Sequence, residues 1–532
     1  MTEGLHPRSV RDWERHLGRR QSPAEVRRDL SAGSIPGAAH AVARRLPDRE
    51  AVRVGGASLT HGQLDDASRR LARWLVDRGA GPGGRVVLAA GNSLGYVIAY
   101  LAVLHSGAAV ALVNPMLTAT ELGHLVDDAD PVAALADQQR AEQLDELGVH
   151  HLLDLDAAAR AGWPQFLSSW APIEPRPLSP DTVAHLAFTS GTTGRPKPAP
   201  LTHRNLVATV TAVLRAWRFT EDDAVVHALP LQHAHGLSGV IAVLLRGCRG
   251  VFLPAFDPDA LAGAIDTEKA TVLFGVPTVY DRMVRAGVWE HRRPHSLRLA
   301  TCGSAPLAPA LGAAVAERIG MPLLERFGAT EVGFVLSNPY AGERRLGTVG
   351  FALPGAEVVI VDDNGTEVDD GTVGEVVCRG PSVFGGYAGR SDPKRATWFG
   401  DWFRTGDLGV VDPADGYASI VGRSKELIIS GGLNVYPREV ELALEALPPV
   451  AEAAVAGVPS ELWGEEVRAF VVPVPGATLD PEILDRALAE VLAAYKRPKS
   501  YRVLDRLPRN AMGKVVRHLL TAGTETEGPA PG

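Results

Sequence analysis

The chain has 532 residues, of which 45% are hydrophobic and 22% charged, with a formal net charge of −8. That length exceeds what one hydrophobic core sustains, so several domains are expected. The acidic balance excludes nucleic-acid binding as the main business, and three scattered cysteines (Cys248, Cys302, Cys378) exclude a disulfide framework and suit a reducing cytoplasm.

The first twenty residues are polar and charged, with no apolar run behind them, so no secretory signal is expected. The longest apolar stretch, around Leu237 to Leu245, falls far short of the roughly 18 residues a membrane helix needs. A cytoplasmic protein without a membrane span is expected. Residues 63–80 place Leu64, Ala67, Leu71, Leu75 and Val76 at helical spacing, with charge on the opposite face. The short apolar run in 83–91 reads as a buried parallel strand, 95–108 as a helix and 109–115 as the next strand. "VAHLAFTSG" carries a strand into a loop of glycines and hydroxyls, and residues 203–217 resume as helix. Strand-then-turn patterns recur in "ATVLFGVP" and "LRLATCGSAPL". This alternation predicts doubly wound sheets, whose ligands sit at strand C-termini.

From about 345 the texture changes. Residues 356–381 have β-branched runs broken by Asn-Gly and Asp-Gly, a hairpin pattern, so a smaller antiparallel section is expected. Residues 422–447 run from a charged turn through a short strand and Gly-Gly into a helix. Strands in 452–459 and 467–475 and a helix over 481–495 complete an α+β module. The tail "TAGTETEGPAPG" is too polar to fold alone.

The stretch "TSGTTGRPKP" (189–198) offers Thr189, Ser190, Gly191, Thr192, Thr193, Gly194 and Lys197. Glycines let backbone N–H groups turn inward, hydroxyls donate, and the lysine supplies a point charge, so an anion is the natural guest. The spacing differs from the common G-x-x-x-x-G-K-[ST] loop, and a plain surface turn is the competing reading. Six more stretches follow: "LPLQHAHGL" (229–237), "GSAPL" (303–307), "ERFGATE" (325–331), "WFRTGDLG" (402–409), "GRSKELIISGGLNVYPREVE" (from 422) and "LPRNAMGK" (507–514). In order and interval these resemble the signatures of the acyl-adenylate-forming enzymes, the superfamily of acyl-CoA synthetases and adenylation domains. "SNPYAGERRLGTVGFALPG" further resembles the malonyl-CoA synthetase branch and the related fatty-acid–CoA ligases.

The resemblance implies an ATP-dependent acid–CoA ligase, which makes an acyl-AMP with release of pyrophosphate and then an acyl-CoA. The alternative within the superfamily is an enzyme that makes only the adenylate and hands it to a carrier protein or partner enzyme. The cofactors implied are ATP, Mg²⁺ and coenzyme A. Residues 189–197 become the cradle for the β- and γ-phosphates; Pro198 stands where the family usually has glycine and removes an N–H donor. Gly303, Ser304, Ala305 and Pro306 resemble the adenine shelf, together with Arg326, Phe327, Gly328 and Ala329; Phe327 replaces the usual tyrosine, which keeps stacking and loses a phenolic hydrogen bond. Thr330 resembles the α-phosphate contact, Glu331 the Mg²⁺ carboxylate, Asp407 the acceptor for the ribose hydroxyls, and Arg423 a second ribose or phosphate contact. Lys514 resembles the mobile lysine that bridges substrate carboxylate and α-phosphate, Lys425 the hinge, and Gly431 and Gly432 the pantetheine tunnel.

His233 and His235 form an H-x-H pair, but no Cys or acidic ligand stands nearby in sequence, and the resemblance makes His233 the gate of the acyl pocket. Small residues at Ala234, Gly303 and Ala329 suggest a roomy pocket for a bulky, largely apolar carboxylic acid. Arg298 or Arg246 is the alternative, as partner of a second carboxylate. The whole predicts an α/β fold: a large N-terminal domain of doubly wound sheets plus a small β-barrel section (1–423), and a smaller mobile α+β C-terminal domain (424–532).

Overall fold

The computed structural model describes residues 5–18, 22–30, 33–114, 117–189, 197–290, 292–388, 397–431, 433–460, 462–509 and 514–521. A six-stranded sheet runs in the order Leu152–Asp154, Ala133–Ala136, Arg85–Ala89, Ala109–Leu112, Val183–Thr189, Lys197–Thr202. Its neighbours are parallel except the last pair, which is antiparallel. A nine-stranded sheet has a parallel centre running from Leu324–Ala329 through Leu299–Cys302, Val272–Gly275, Ala224–His227 and Arg249–Phe252 to Glu50–Val54. Antiparallel strands close both of its edges.

The helix Leu94–Ser106 contacts strands of both sheets and is buried almost all the way round. A helix apolar on every side must be enclosed, and this one lies between the two layers. Ser93 caps it by accepting from the Tyr96 N–H, and Gly107 ends it in the left-handed region. One continuous core joins it to both sheets.

The 356–381 hairpin is present, with Glu357–Val361 paired antiparallel to Gly374–Arg379. It belongs to a five-stranded antiparallel sheet, which a bridge between Gly350 and Ala418 ties to the edge of the nine-stranded one. After Arg423 the cores change hands: two further clusters draw only on residues from Ile428 onward. They cover a sheet of Leu433–Val435, Ile428–Ser430, Gly464–Pro473, Val450–Ser460 and Ser500–Val503, flanked by helices Pro437–Glu445 and Pro481–Ala489. The chain is thus a mixed α/β protein with a large N-terminal domain of sheets and a smaller C-terminal one.

Two predicted helices are shorter than expected. That of 63–80 ends at Val76, and the chain turns out through Gly79 at φ 89. That of 481–495 ends at Ala489, so Val491 lies 67% exposed although its spacing continued the apolar face. Among the described residues, no helix is long and apolar enough to cross a membrane.

Candidate functional site

A cleft opens between the two domains. The strand Leu299–Cys302 delivers Gly303, Ser304, Ala305 and Pro306 to its wall. Ser304 sits at φ 69, a conformation L-residues seldom adopt, and such strain collects where a loop must present its backbone to something. A Cβ on Gly303 would come within 2.9 Å of the Arg326 guanidinium, so only glycine admits that side chain. Arg326, Phe327 and Gly328, from the strand Leu324–Ala329, line the same wall.

Opposite stand Asp407 and Arg423, cross-strand partners in the antiparallel sheet. Arg423 Nε donates to Asp407 Oδ1 at 3.0 Å, while Asp407 Oδ2 is buried with no hydrogen-bond partner. Burial pushes the Asp407 carboxyl above its ordinary range, against the pull of Arg423 and Lys514. A desolvated, acceptor-only oxygen fits a hydroxyl donor. Lys514 enters the cleft from the C-terminal domain, together with Glu426 and Arg517. Desolvation, and then the charge of Arg423, lower its pKa, while Glu426 and Asp407 oppose the shift. Arg517 is held by Glu441 at 2.6 Å and Glu426 at 3.1 Å.

Arg326 is only 4% exposed, and its Nε and Nη2 have no hydrogen-bond partner. It lies 4.0 Å over the Phe334 ring, and burial lowers its pKa to about 9. A buried guanidinium without a counter-charge costs several kcal/mol, by the rough magnitude for buried ions, and an incoming anion would relieve it. Beside it, His235 Nδ1 lies 3.4 Å from Ser304 Oγ, and its ring tilts over Phe274 at 5.5 Å. His233 is the N-cap residue of the helix Ala234–Arg246; its buried Nε2 lacks a partner, and desolvation lowers its pKa to about 4. No cluster of three His, Cys, Asp or Glu that could hold a metal ion occurs among the described residues.

A second group gathers at the edge of the six-stranded sheet. Lys197 opens the strand Lys197–Thr202, and its Nζ lies 5.5 Å over the Tyr387 ring. The Tyr387 hydroxyl donates to Glu331 Oε1 at 2.7 Å. Thr330 sits in the turn just before Glu331.

Of the expected residues, the cleft brings together Gly303–Pro306, Arg326–Gly328, Asp407, Arg423 and Lys514. Lys197 and Glu331 meet through Tyr387. His233, Ala329 and Thr330 do not line the cleft. Lys425 is exposed on the 3₁₀ turn Ser424–Glu426, and Gly431, at φ 59, turns the hairpin under Trp463, where a Cβ would meet the indole at 2.9 Å. Ser190, Gly191, Thr192, Thr193, Gly194 and Gly432 lie outside the described residues, as does the side chain of Thr189. Neither Arg298 nor Arg246, the alternative partners for a second carboxylate, lines the cleft. Arg298 is spent on Asp223 at 2.7 Å and on the Trp217 carbonyl, and Arg246 is exposed at a helix end. Sequence reasoning passed over Glu426, Arg517 and Tyr387. Glu426 lay inside a quoted motif, but charge alone did not separate it from a solvated turn.

A family model described as AMP-binding enzyme matches residues 39–388, and one described as AMP-binding enzyme C-terminal domain matches 439–514. A feruloyl-CoA synthase of Amycolatopsis sp is 36% identical over 89% of this chain and 96% of its own length. An oxalate–CoA ligase of Arabidopsis thaliana is 34% identical over 92% of this chain and 98% of its own. The crystal structure of ATP-bound MatB from Rhodopseudomonas palustris superposes with a TM-score of 0.87 at 34% identity, covering 92% of this chain and 99% of that one.

Proposed function

The chain belongs to the AMP-binding enzyme family and is an acid–CoA ligase, and we propose that the cleft between its two domains hosts both half-reactions. The observation that carries this reading is the meeting of the Ser304–Pro306 wall, the unpartnered Asp407 Oδ2, Arg423 and Lys514 in one cleft. A carboxylate cannot expel oxide at neutral pH. Its oxygen therefore attacks the α-phosphorus of ATP, pyrophosphate leaves with the broken P–O bond, and the acyl-AMP carries a good leaving group. The thiol sulfur of coenzyme A then attacks the acyl carbon, AMP departs, and the thiol proton goes to solvent or base.

In the first step negative charge gathers on phosphate oxygens, so cations and fixed dipoles do most of the work. Lys514 is assigned to the meeting point of carboxylate and α-phosphate, Thr330 to the α-phosphate, and Asp407 with Arg423 to the ribose. The 189–197 segment is assigned to the outer phosphates, with Lys197 its cation, and the Gly303–Pro306 wall with Phe327 and Ala329 to adenine. Glu331 suits Mg²⁺: a hard cation needs one protein carboxylate beside nucleotide, Oε1 is held by Tyr387, and Oε2 has no hydrogen-bond partner among the described residues. Bound there, the ion would neutralise phosphate charge. His233 is the assigned gate of the acyl pocket. The three buried free cysteines support a cytoplasmic setting.

For the second step the domains, divided at 423/424, must turn about Lys425 so that Lys514 withdraws and Gly431 and Gly432 flank the pantetheine. Lys425→Pro fixes φ at the hinge. It is expected to spare ATP–pyrophosphate exchange and to abolish thioester formation; equal loss of both would remove Lys425 from the hinge.

For the acid, Ala234 and Ala329 leave room for a bulky, largely apolar carboxylate, in keeping with the feruloyl-CoA synthase relative. The unpaired Arg326 favours a second reading, an acid with another anionic group, in keeping with the oxalate–CoA ligase relative. An acid panel with ATP and Mg²⁺, with and without coenzyme A, decides. AMP release that requires coenzyme A supports the ligase, whereas accumulating acyl-AMP supports transfer to a carrier protein or partner enzyme. Preference for an aromatic monoacid supports the first pocket reading. Preference for a diacid, lost in Arg326→Leu, supports the second.

A further inference from the structure

Five residues before the undescribed stretch 389–396, the segment Phe384–Ala388 touches both halves of the assigned phosphate site. The Phe384 N–H donates to the Glu331 carbonyl at 2.8 Å, and the Ala388 N–H donates to the Pro198 carbonyl at 2.9 Å. Between these two backbone stitches stands Tyr387. Its hydroxyl reaches Glu331 Oε1 at 2.7 Å, its ring face lies 5.5 Å from the Lys197 ammonium, and its edge packs on Phe384 at 5.0 Å. Glu331 sits in the turn between two strands of the nine-stranded sheet and Lys197 on an edge strand of the six-stranded one, and no ion pair joins them among the described residues. A glutamate has three rotatable bonds and a lysine four, so an unsupported pair would spread over many rotamers.

We infer that Tyr387 is a positioning residue for adenylation, which fixes the Glu331 carboxylate for the divalent cation and the Lys197 ammonium for the phosphates as one preorganised pair. This rests on the assignment of Glu331 and Lys197 made above. Donation to Oε1 anchors one oxygen of the carboxylate and leaves Oε2, which accepts no hydrogen bond among the described residues, as the acceptor for a hard cation. The electron-rich ring face attracts the ammonium and limits its sweep. Loss of a group hydrogen-bonded to a metal ligand typically lowers ion affinity by about 10- to 100-fold.

The test uses the full-length protein and Mn²⁺ as the probe. Free Mn²⁺ is counted by electron paramagnetic resonance as the ion is titrated into protein plus ATP, for the wild type, Tyr387→Phe, Tyr387→Leu and Glu331→Gln. Tyr387→Phe keeps the ring and should weaken Mn²⁺ binding about tenfold. Its ATP–pyrophosphate exchange should return towards the wild-type rate as Mg²⁺ is raised, which repair of a merely misfolded protein would not produce. Tyr387→Leu should add a rise in the KM for ATP, since Lys197 loses its platform. If Glu331→Gln weakens Mn²⁺ binding while Tyr387→Phe leaves it at the wild-type value, Tyr387 has no positioning role. If neither variant changes Mn²⁺ binding, the Glu331 assignment falls and this inference falls with it.

Discussion

Replacing Lys514 by alanine is expected to lower ATP–pyrophosphate exchange by about 10²–10³-fold, the loss typical of removing one preorganised electrostatic partner. Lys514 shares the interdomain cleft with Asp407 and Arg423, and burial has already lowered its pKa. A desolvated cation acts in a medium where water screens it little, so its removal costs far more than that of a surface lysine. Thioester formation from added acyl-AMP should change by less than about twofold, because the domain rotation proposed for that step withdraws Lys514 from the phosphate. The measurement is therefore a pair of assays on one variant. Unchanged pyrophosphate exchange would remove Lys514 from the first half-reaction, and parallel loss in both assays would make it a general structural residue.

Acid should unfold the protein steeply between about pH 6.5 and 4, driven by histidines rather than by carboxylates. Burial lowers the pKa of His16, His61, His105, His203 and His233 to about 4 and of His185 and His227 to about 3, and pushes His235 down as well. In the unfolded chain each would titrate near 6.5, so in that window the unfolded state binds more protons than the folded one. The stability they contribute is complete above pH 6.5 and is lost as pH falls towards the folded values. A depression of two units corresponds to about 3 kcal/mol per histidine, enough for several of them to exceed the roughly 5–15 kcal/mol of a typical domain. Asp12, raised to about 6, Glu325, raised to about 7, and Asp407 and Glu445, also raised by burial, act in the opposite sense, since acid relieves them, but they are four against eight. Urea midpoints at a series of pH values check this. The unfolding free energy should change by more than about 3 kcal/mol per pH unit around pH 5.5, equivalent to at least two protons taken up. A flat profile there would mean that these rings are hydrated.

The two predictions draw on the same property of the molecule, polar groups kept dry. Asp407 Oδ2, Arg326 Nε and the Nε2 atoms of His227, His233 and His235 are all buried without hydrogen-bond partners. Each is a free-energy cost that a ligand or a rearrangement could relieve.

Periodicity and turn chemistry were enough to determine the alternating helices and strands, the change to antiparallel pairing after residue 345, and the order of the motif stretches. These are local properties, since which face of an element is apolar is written within a turn or two of the chain. The helix Leu94–Ser106 shows the limit: its apolarity declared that it was buried, and only the sheets packed on either side of it decided where. The ends of the helices at Val76 and Ala489 were misjudged for the same reason, because an apolar residue continues a pattern whether or not anything stands opposite to pack against it. Pairings across long separations were beyond reach. That Asp223 consumes Arg298, that Arg326 is left without a counter-charge, and that Tyr387 joins Glu331 to Lys197 depend on residues between 56 and 190 positions apart in the chain meeting in space. A side chain's charge is set by its letter, but whether that charge is spent or available is set by its neighbours, and neighbours are a product of the tertiary fold.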